Sequence, residues 1–192
     1  MKKLFFAAFA LVAGIISAQA QTEIHPRIEV GANFASGVNK VVGVTPESKV
    51  RLGFRASLAA EVGLASGVYL APGVTFRQEG FKYISEDGYG LNYISVPVDL
   101  GIRVPFSENF AVSVEAGPYF AYGLSTTSKI DAFKAGVYKR FDMGLNASAA
   151  LEFSKVYLRV GTDLGMVNAL KNNIANTSYK NASFFAGVGL RF

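Results

Sequence analysis

Eight stretches of this chain alternate apolar and polar residues at period two, and all eight divide in the same unusual way. In the last one, Phe184, Ala186, Val188, Leu190 and Phe192 fall on one face, and Phe185, Gly187, Gly189 and Arg191 on the other. Successive side chains of a strand point to opposite faces, so each stretch predicts a strand with one apolar wall. The apolar wall carries Leu, Val and Phe, whereas the polar wall carries Gly, Ala, Ser and charges. A soluble sandwich or lipocalin-like barrel also alternates, but it turns its bulk inward. Bulk on one wall and small or charged residues on the other suit a barrel with lipid outside and a narrow polar lumen inside.

The predicted fold is therefore all-β, an eight-stranded antiparallel up-and-down transmembrane β-barrel. Its strands cover about 27–34, 50–62, 68–77, 91–104, 110–122, 141–153, 156–164 and 183–192. Most reach the roughly 9–11 residues that a tilted strand needs to cross hydrocarbon. The 51% hydrophobic content is high, yet no run beyond the N-terminus is long enough for a membrane helix. Phe34, Phe76, Phe110, Tyr122, Phe141, Phe153 and Phe192 lie near strand ends on the apolar face, as two interfacial girdles would. Pro72, Pro97 and Pro118 fall inside strands, where each removes a ladder donor, and they predict bulges or kinks.

The links alternate in length. Those over 35–49, 78–90, 123–140 and 165–182 are long; those over 63–67, 105–109 and 154–155 are short. Short turns belong on the periplasmic side and long loops outside, so both termini are expected in the periplasm. At the N-terminus, Lys2 and Lys3 precede the uncharged run Leu4 to Ile16 and then Ser17-Ala18-Gln19-Ala20. That is the pattern of a signal peptide over 1–20, cut after Ala20, with the barrel domain over 21–192. The formal charge of +5 includes Lys2 and Lys3, which leaves +3 for the exported segment, too little to argue for nucleic acid. There is no cysteine, hence no disulfide, no thiolate metal site, no thiol nucleophile and no N-terminal lipid anchor on Cys.

Tyr93, Val96-Pro97-Val98 and Gly117-Pro118, within the segments Leu91–Val104 and Val114–Tyr119, resemble the small outer-membrane barrels of Bacteroidetes-type bacteria. These are the PorT-like or "porin family" barrels. The resemblance implies an outer-membrane barrel of mostly unassigned function, some of whose relatives serve secretion or gliding machinery. A terminal aromatic such as Phe192 likewise resembles the signal by which the outer-membrane assembly machinery recognises its clients.

The dense polar constellation is the lumen face. Its acids are Glu29, Glu61, Asp99, Glu115, Asp142, Glu152 and Asp163, and its bases are Arg51, Arg55, Arg77, Arg103, Arg159 and Arg191. The signs nearly balance and every base is arginine, whose planar fork suits buried pairing. This predicts a salt-bridge plug rather than a conducting path or a carboxylate-pair active site. The single histidine, His25, precedes the first strand next to Pro26 and reads as a linker residue; no HExxH, GxSxG or P-loop pattern occurs. Asp87-Gly88 and Asn172-Asn173 read as turn residues rather than calcium ligands. No catalytic, cofactor-binding or metal residue is assigned. The long links carry more lysine than acid: Lys40, Lys49, Lys82, Lys129, Lys134, Lys139, Lys171 and Lys180, with Arg140, against Glu47, Glu79, Glu86, Asp87 and Asp131. They read either as a solvated rim or as a contact for lipopolysaccharide phosphates. Tyr83, Tyr89, Phe133, Tyr138 and Tyr179 add apolar area there for adhesion or loop packing. The expected function is a non-enzymatic structural or surface-interaction role; a small porin-like channel and a secretion component are the alternatives.

Overall fold

The computed structural model describes residues 23–40, 50–81, 89–127, 131–171 and 178–192. Eight antiparallel strands close into one barrel in chain order: β1 Ile24–Lys40, β2 Arg51–Ala65, β3 Val68–Phe81, β4 Tyr89–Ser107, β5 Phe110–Thr126, β6 Phe141–Phe153, β7 Val156–Gly165 and β8 Ser178–Arg191. Closure leaves no strand edge, which an apolar solvent demands. A circuit of paired residues that leaves β1 at Ile24 runs through Val62, Leu70, Leu100, Ala116, Ala147, Thr162 and Phe184. It returns to β1 at Phe34, ten residues along (34 minus 24). Such a stagger goes with strands tilted by roughly 35–45° and an interior that side chains fill.

The inside-out assignment holds. Leu58, Val114, Leu145, Leu151, Leu158, Val160 and Leu164 stand exposed on the outer wall. The buried set is dominated by Arg, Glu, Asp, Asn, Ser and Tyr. Phe110 packs on Phe153 and Phe106 at the end of the barrel where β4–β7 turn, and Phe34 packs on Phe184 towards the other end.

Several strands run further than the alternation indicates, chiefly at the end of the long links. β1 continues from Phe34 to Lys40, β3 to Phe81, β5 to Thr126, and β4 and β8 start at Tyr89 and Ser178. The outward face there turns polar, through Ser36, Gln78, Asn92 and Ser125. The ladder continues past the point where the hydrophobic pattern stops. Gln78 Nε2 donates to Asn92 Oδ1 at 3.2 Å, and Asn92 Nδ2 to Ser125 Oγ at 3.0 Å, forming a polar belt above the apolar band. His25 and Pro26 are also part of β1 rather than of a linker. The three short links shrink to two-residue turns, Ser66-Gly67, Glu108-Asn109 and Ser154-Lys155. The first two are flanked by register shifts at Gly63/Ala65 and Pro105/Ser107.

The strand prolines do not produce bulges. Register is the same on both sides of each one. Instead the ladder omits rungs on one side of each: Ala60/Pro72 with Glu61/Ala71, Gly73/Pro97 with Val74/Val96, and Val98/Pro118 with Asp99/Gly117. A missing donor removes a rung without requiring an extra residue. The three gaps form a diagonal across β2 to β5.

Candidate functional site: the charged lumen and its cap

Alternation delivers every second residue of all eight strands to one interior, so charges distant in sequence meet there. The end bearing the two-residue turns and both termini is here the turn end; the opposite one is the loop end.

In the turn-end half, four arginines and four glutamates form one connected network. Arg27 bridges Glu61 at 3.1 Å and Glu115 at 2.5 Å. Arg159 bridges Glu115 at 2.8 Å and Glu29 at 3.3 Å. Arg103 bridges Glu61 at 2.7 Å and Glu152 at 2.8 Å, and Arg191 reaches Glu61 at 2.8 Å. Tyr69 donates to Glu115 at 2.7 Å. Charges cancel within the network, as low dielectric requires of buried ions. Arg27 was not among the expected lumen bases, although its place two residues before Glu29 on an alternating strand already put it there.

The loop-end half holds a second network. Arg55 bridges Asp163 at 2.6 Å, and Arg77 reaches Asp163 at 3.0 Å, Glu79 at 3.3 Å and Asp142 at 3.7 Å. Glu79 thus belongs to the lumen wall and not to a loop; β3 continues two residues beyond Arg77 and keeps its parity. Arg51 lies at the mouth, where its Nη1 donates to the Glu79 carbonyl at 3.4 Å. Asp99, buried between the networks, has no ion-pair partner among the described residues.

Large aromatics share this interior. Each sits over a glycine directly across the ladder: Tyr69 over Gly101, Tyr119 over Gly144, Tyr157 over Gly189 and Phe185 over Gly161. A Cβ at Gly101 or Gly189 would lie 2.3 or 2.2 Å from the ring opposite. Arginines stack on the same rings: Arg55 over Phe185 at 3.8 Å, Arg77 over Tyr119 at 4.1 Å and Arg103 over Tyr69 at 4.8 Å. The glycines of the polar wall are therefore the sequence signal for inward rings.

The loop end is closed by protein. The link after β5 folds back over the mouth and buries Phe133, whose ring meets Tyr93 edge-on at 5.7 Å. Tyr138 bridges to Leu170 and packs against Tyr179 at 5.8 Å. Arg140 covers Phe133 at 5.1 Å, donates to the carbonyls of Gly123 and Leu124 at 2.7 and 3.0 Å, and pairs with Asp131 at 3.8 Å. Phe133, Tyr138 and Tyr179 thus pack as a cap rather than presenting an adhesive surface. Tyr83, Glu47, Glu86, Asp87-Gly88, Asn172-Asn173, Lys49, Lys82 and Lys129 lie outside the described residues; Tyr89 and Lys40 belong to strands. Lys134, Lys139, Lys171 and Lys180 are exposed at the loop end. His25 Nδ1 lies 3.0 Å from the backbone oxygen of Phe192, whose N–H donates to Pro26, so both ends of the chain join at the β1–β8 seam.

An apolar outer wall around a charged, filled interior defines a membrane-spanning β-barrel. The chain belongs to the outer membrane protein beta-barrel domain family, whose model matches residues 18–175, and is thereby a bacterial outer-membrane protein. Its fold is similar to that of Neisserial surface protein A, at 12% identity and a TM-score of 0.57 over 90% of this chain and 99% of that one. It is also similar to the outer membrane enzyme PagL, at 12% identity and a TM-score of 0.50 over 86% and 97%. OprG from Pseudomonas aeruginosa aligns at 12% identity and a TM-score of 0.49 over 90% and 97%. No curated protein matches the sequence.

Proposed function

We propose that this protein is a non-enzymatic, non-conducting outer-membrane barrel that works through its outer rim. The observation that carries this reading is the neutral network of four arginines and four glutamates under a protein cap. A porin needs an uncompensated aqueous lumen, whereas here the interior is occupied by paired side chains. Purified protein in planar bilayers should give no steady ohmic conductance; stable pores of porin size would overturn the reading.

The rim is the interaction surface in this reading. Lys134, Lys139, Lys171 and Lys180 stand above the apolar band, and the nearby Asp131 is taken up by Arg140. Their partner is the phosphate of outer-leaflet lipopolysaccharide, attracted by charge. Replacing all four with glutamine should weaken co-purification of lipopolysaccharide, and unchanged retention would remove that role. Processing after Ala20, long links facing outward, both termini in the periplasm, recognition of Phe192 by the assembly machinery and a PorT-like affiliation complete the reading. The aliphatic-Pro-aliphatic and Gly-Pro elements of β4 and β5 support that affiliation.

A further inference from the structure

The two lumen networks differ in charge. The turn-end network balances four arginines against four glutamates. The loop-end network sets Arg55 and Arg77 against Glu79, Asp142 and Asp163. Within it the hydrogen bonds are also one-sided. Glu79 uses Oε1 for Arg77 and for the Ser183 hydroxyl at 3.0 Å, while its Oε2 accepts nothing. Asp142 uses Oδ2 for Arg77, for Asn181 Nδ2 at 2.9 Å and for the Tyr119 hydroxyl at 3.4 Å, while its Oδ1 accepts nothing.

The amides behave alike. Asn181 turns Nδ2 to Asp142, and Asn33 turns Nδ2 to the Gln78 carbonyl at 2.8 Å, so neither can be reversed without losing a donor. Their Oδ1 atoms are left without donors. Asn33, Glu79, Asp142 and Asn181 are each at most 2% exposed. Four buried oxygens on four strands thus lack a donor in the half of the lumen that carries surplus negative charge. Buried acceptors are ordinarily satisfied, and leaving them bare costs free energy. Oxygens of mixed carboxylate and amide type are what hard cations prefer. No cluster of three or more acidic or histidine side chains suited to a metal occurs among the described residues, so two carboxylates and neutral oxygens would share the ion.

We propose that the loop-end half of the lumen binds one hard metal cation, of the alkali or alkaline-earth class, through Glu79 Oε2, Asp142 Oδ1 and the amide oxygens of Asn33 and Asn181. The ion offsets the surplus carboxylate and ties β1, β3, β6 and β8 together beneath the cap. The aromatic cap makes its exchange slow.

The test is to refold the full chain into micelles with choline as the only cation, or with sodium, potassium, magnesium or calcium added at matched ionic strength. Thermal midpoints are followed by circular dichroism. Metal content is measured by elemental mass spectrometry after gel filtration in choline buffer. One of the four ions should raise the midpoint saturably and co-elute at about one per chain. Glu79→Gln and Asp142→Asn should lose it, whereas Glu152→Gln, in the other network, should keep it. No co-eluting ion and no saturable shift with any of the four would mean that water alone meets these oxygens, and would overturn the proposal. Equal retention by Glu79→Gln and Asp142→Asn would overturn the site. Metal content of the wild-type protein decides the question even where a variant does not fold.

Discussion

Replacing Glu115 by leucine removes the hub of the turn-end network. Glu115 accepts two hydrogen bonds from Arg27, two from Arg159 and one from Tyr69. Charged hydrogen bonds contribute about 1.5–3 kcal/mol each, and a simple sum would exceed the stability of a whole domain. The sum overstates the loss, because both arginines keep a second partner: Arg27 keeps Glu61 and Arg159 keeps Glu29. What remains is the cost of breaking a buried pair by removing one member, about 3–5 kcal/mol. Urea unfolding of refolded protein in phospholipid vesicles, followed by far-ultraviolet circular dichroism, reads this as a lower midpoint at unchanged slope. A loss below about 1 kcal/mol, the range of solvated surface pairs, would refute the idea that this network is dry.

Three other changes test separate parts of the structure. Leu145→Arg puts a charge on the outward face of β6 and should cost roughly 2–4 kcal/mol near the bilayer midplane, measured by the same unfolding assay. Gly189→Ala drives a methyl against the Tyr157 ring and the Ile28 carbonyl, so about 1–3 kcal/mol should be lost; a neutral result would show that the ring is loosely held. Ser154 has a positive φ of 56° in the β6–β7 turn, and Ser154→Gly should raise the unfolding midpoint by under about 1 kcal/mol in stability.

Strand number, order and facing were legible in the sequence because lipid imposes the same rule on every strand: bulk outward, charge and glycine inward. Strand length was not, since the rule ends where hydrocarbon ends. Ser36, Gln78 and Asn92 break the outward pattern while their ladders continue. Glu79 was lost to the loops for the same reason. The arginine-carboxylate plug was readable from composition of one face, but its division into a balanced and an unbalanced half was not. Pairing distances depend on the ten-residue stagger, and stagger is a property of closure rather than of any one strand. The prolines misled because a lost donor and an inserted residue look alike in sequence. The inward rings over Gly101, Gly144, Gly161 and Gly189 require the register before the match between ring and glycine can be seen.

The arrangement of strands and links is tested most directly by single cysteines in a chain that has none of its own. Lys134 and Lys171 stand on two different long links, and Ser66, Ser107 and Ser154 at the three two-residue turns. A membrane-impermeant thiol reagent added to whole cells should label cysteine at the first two positions and leave the other three protected until the outer membrane is opened. Labelling at position 107 without labelling at 171 in intact cells would contradict an eight-stranded barrel whose long links face outward.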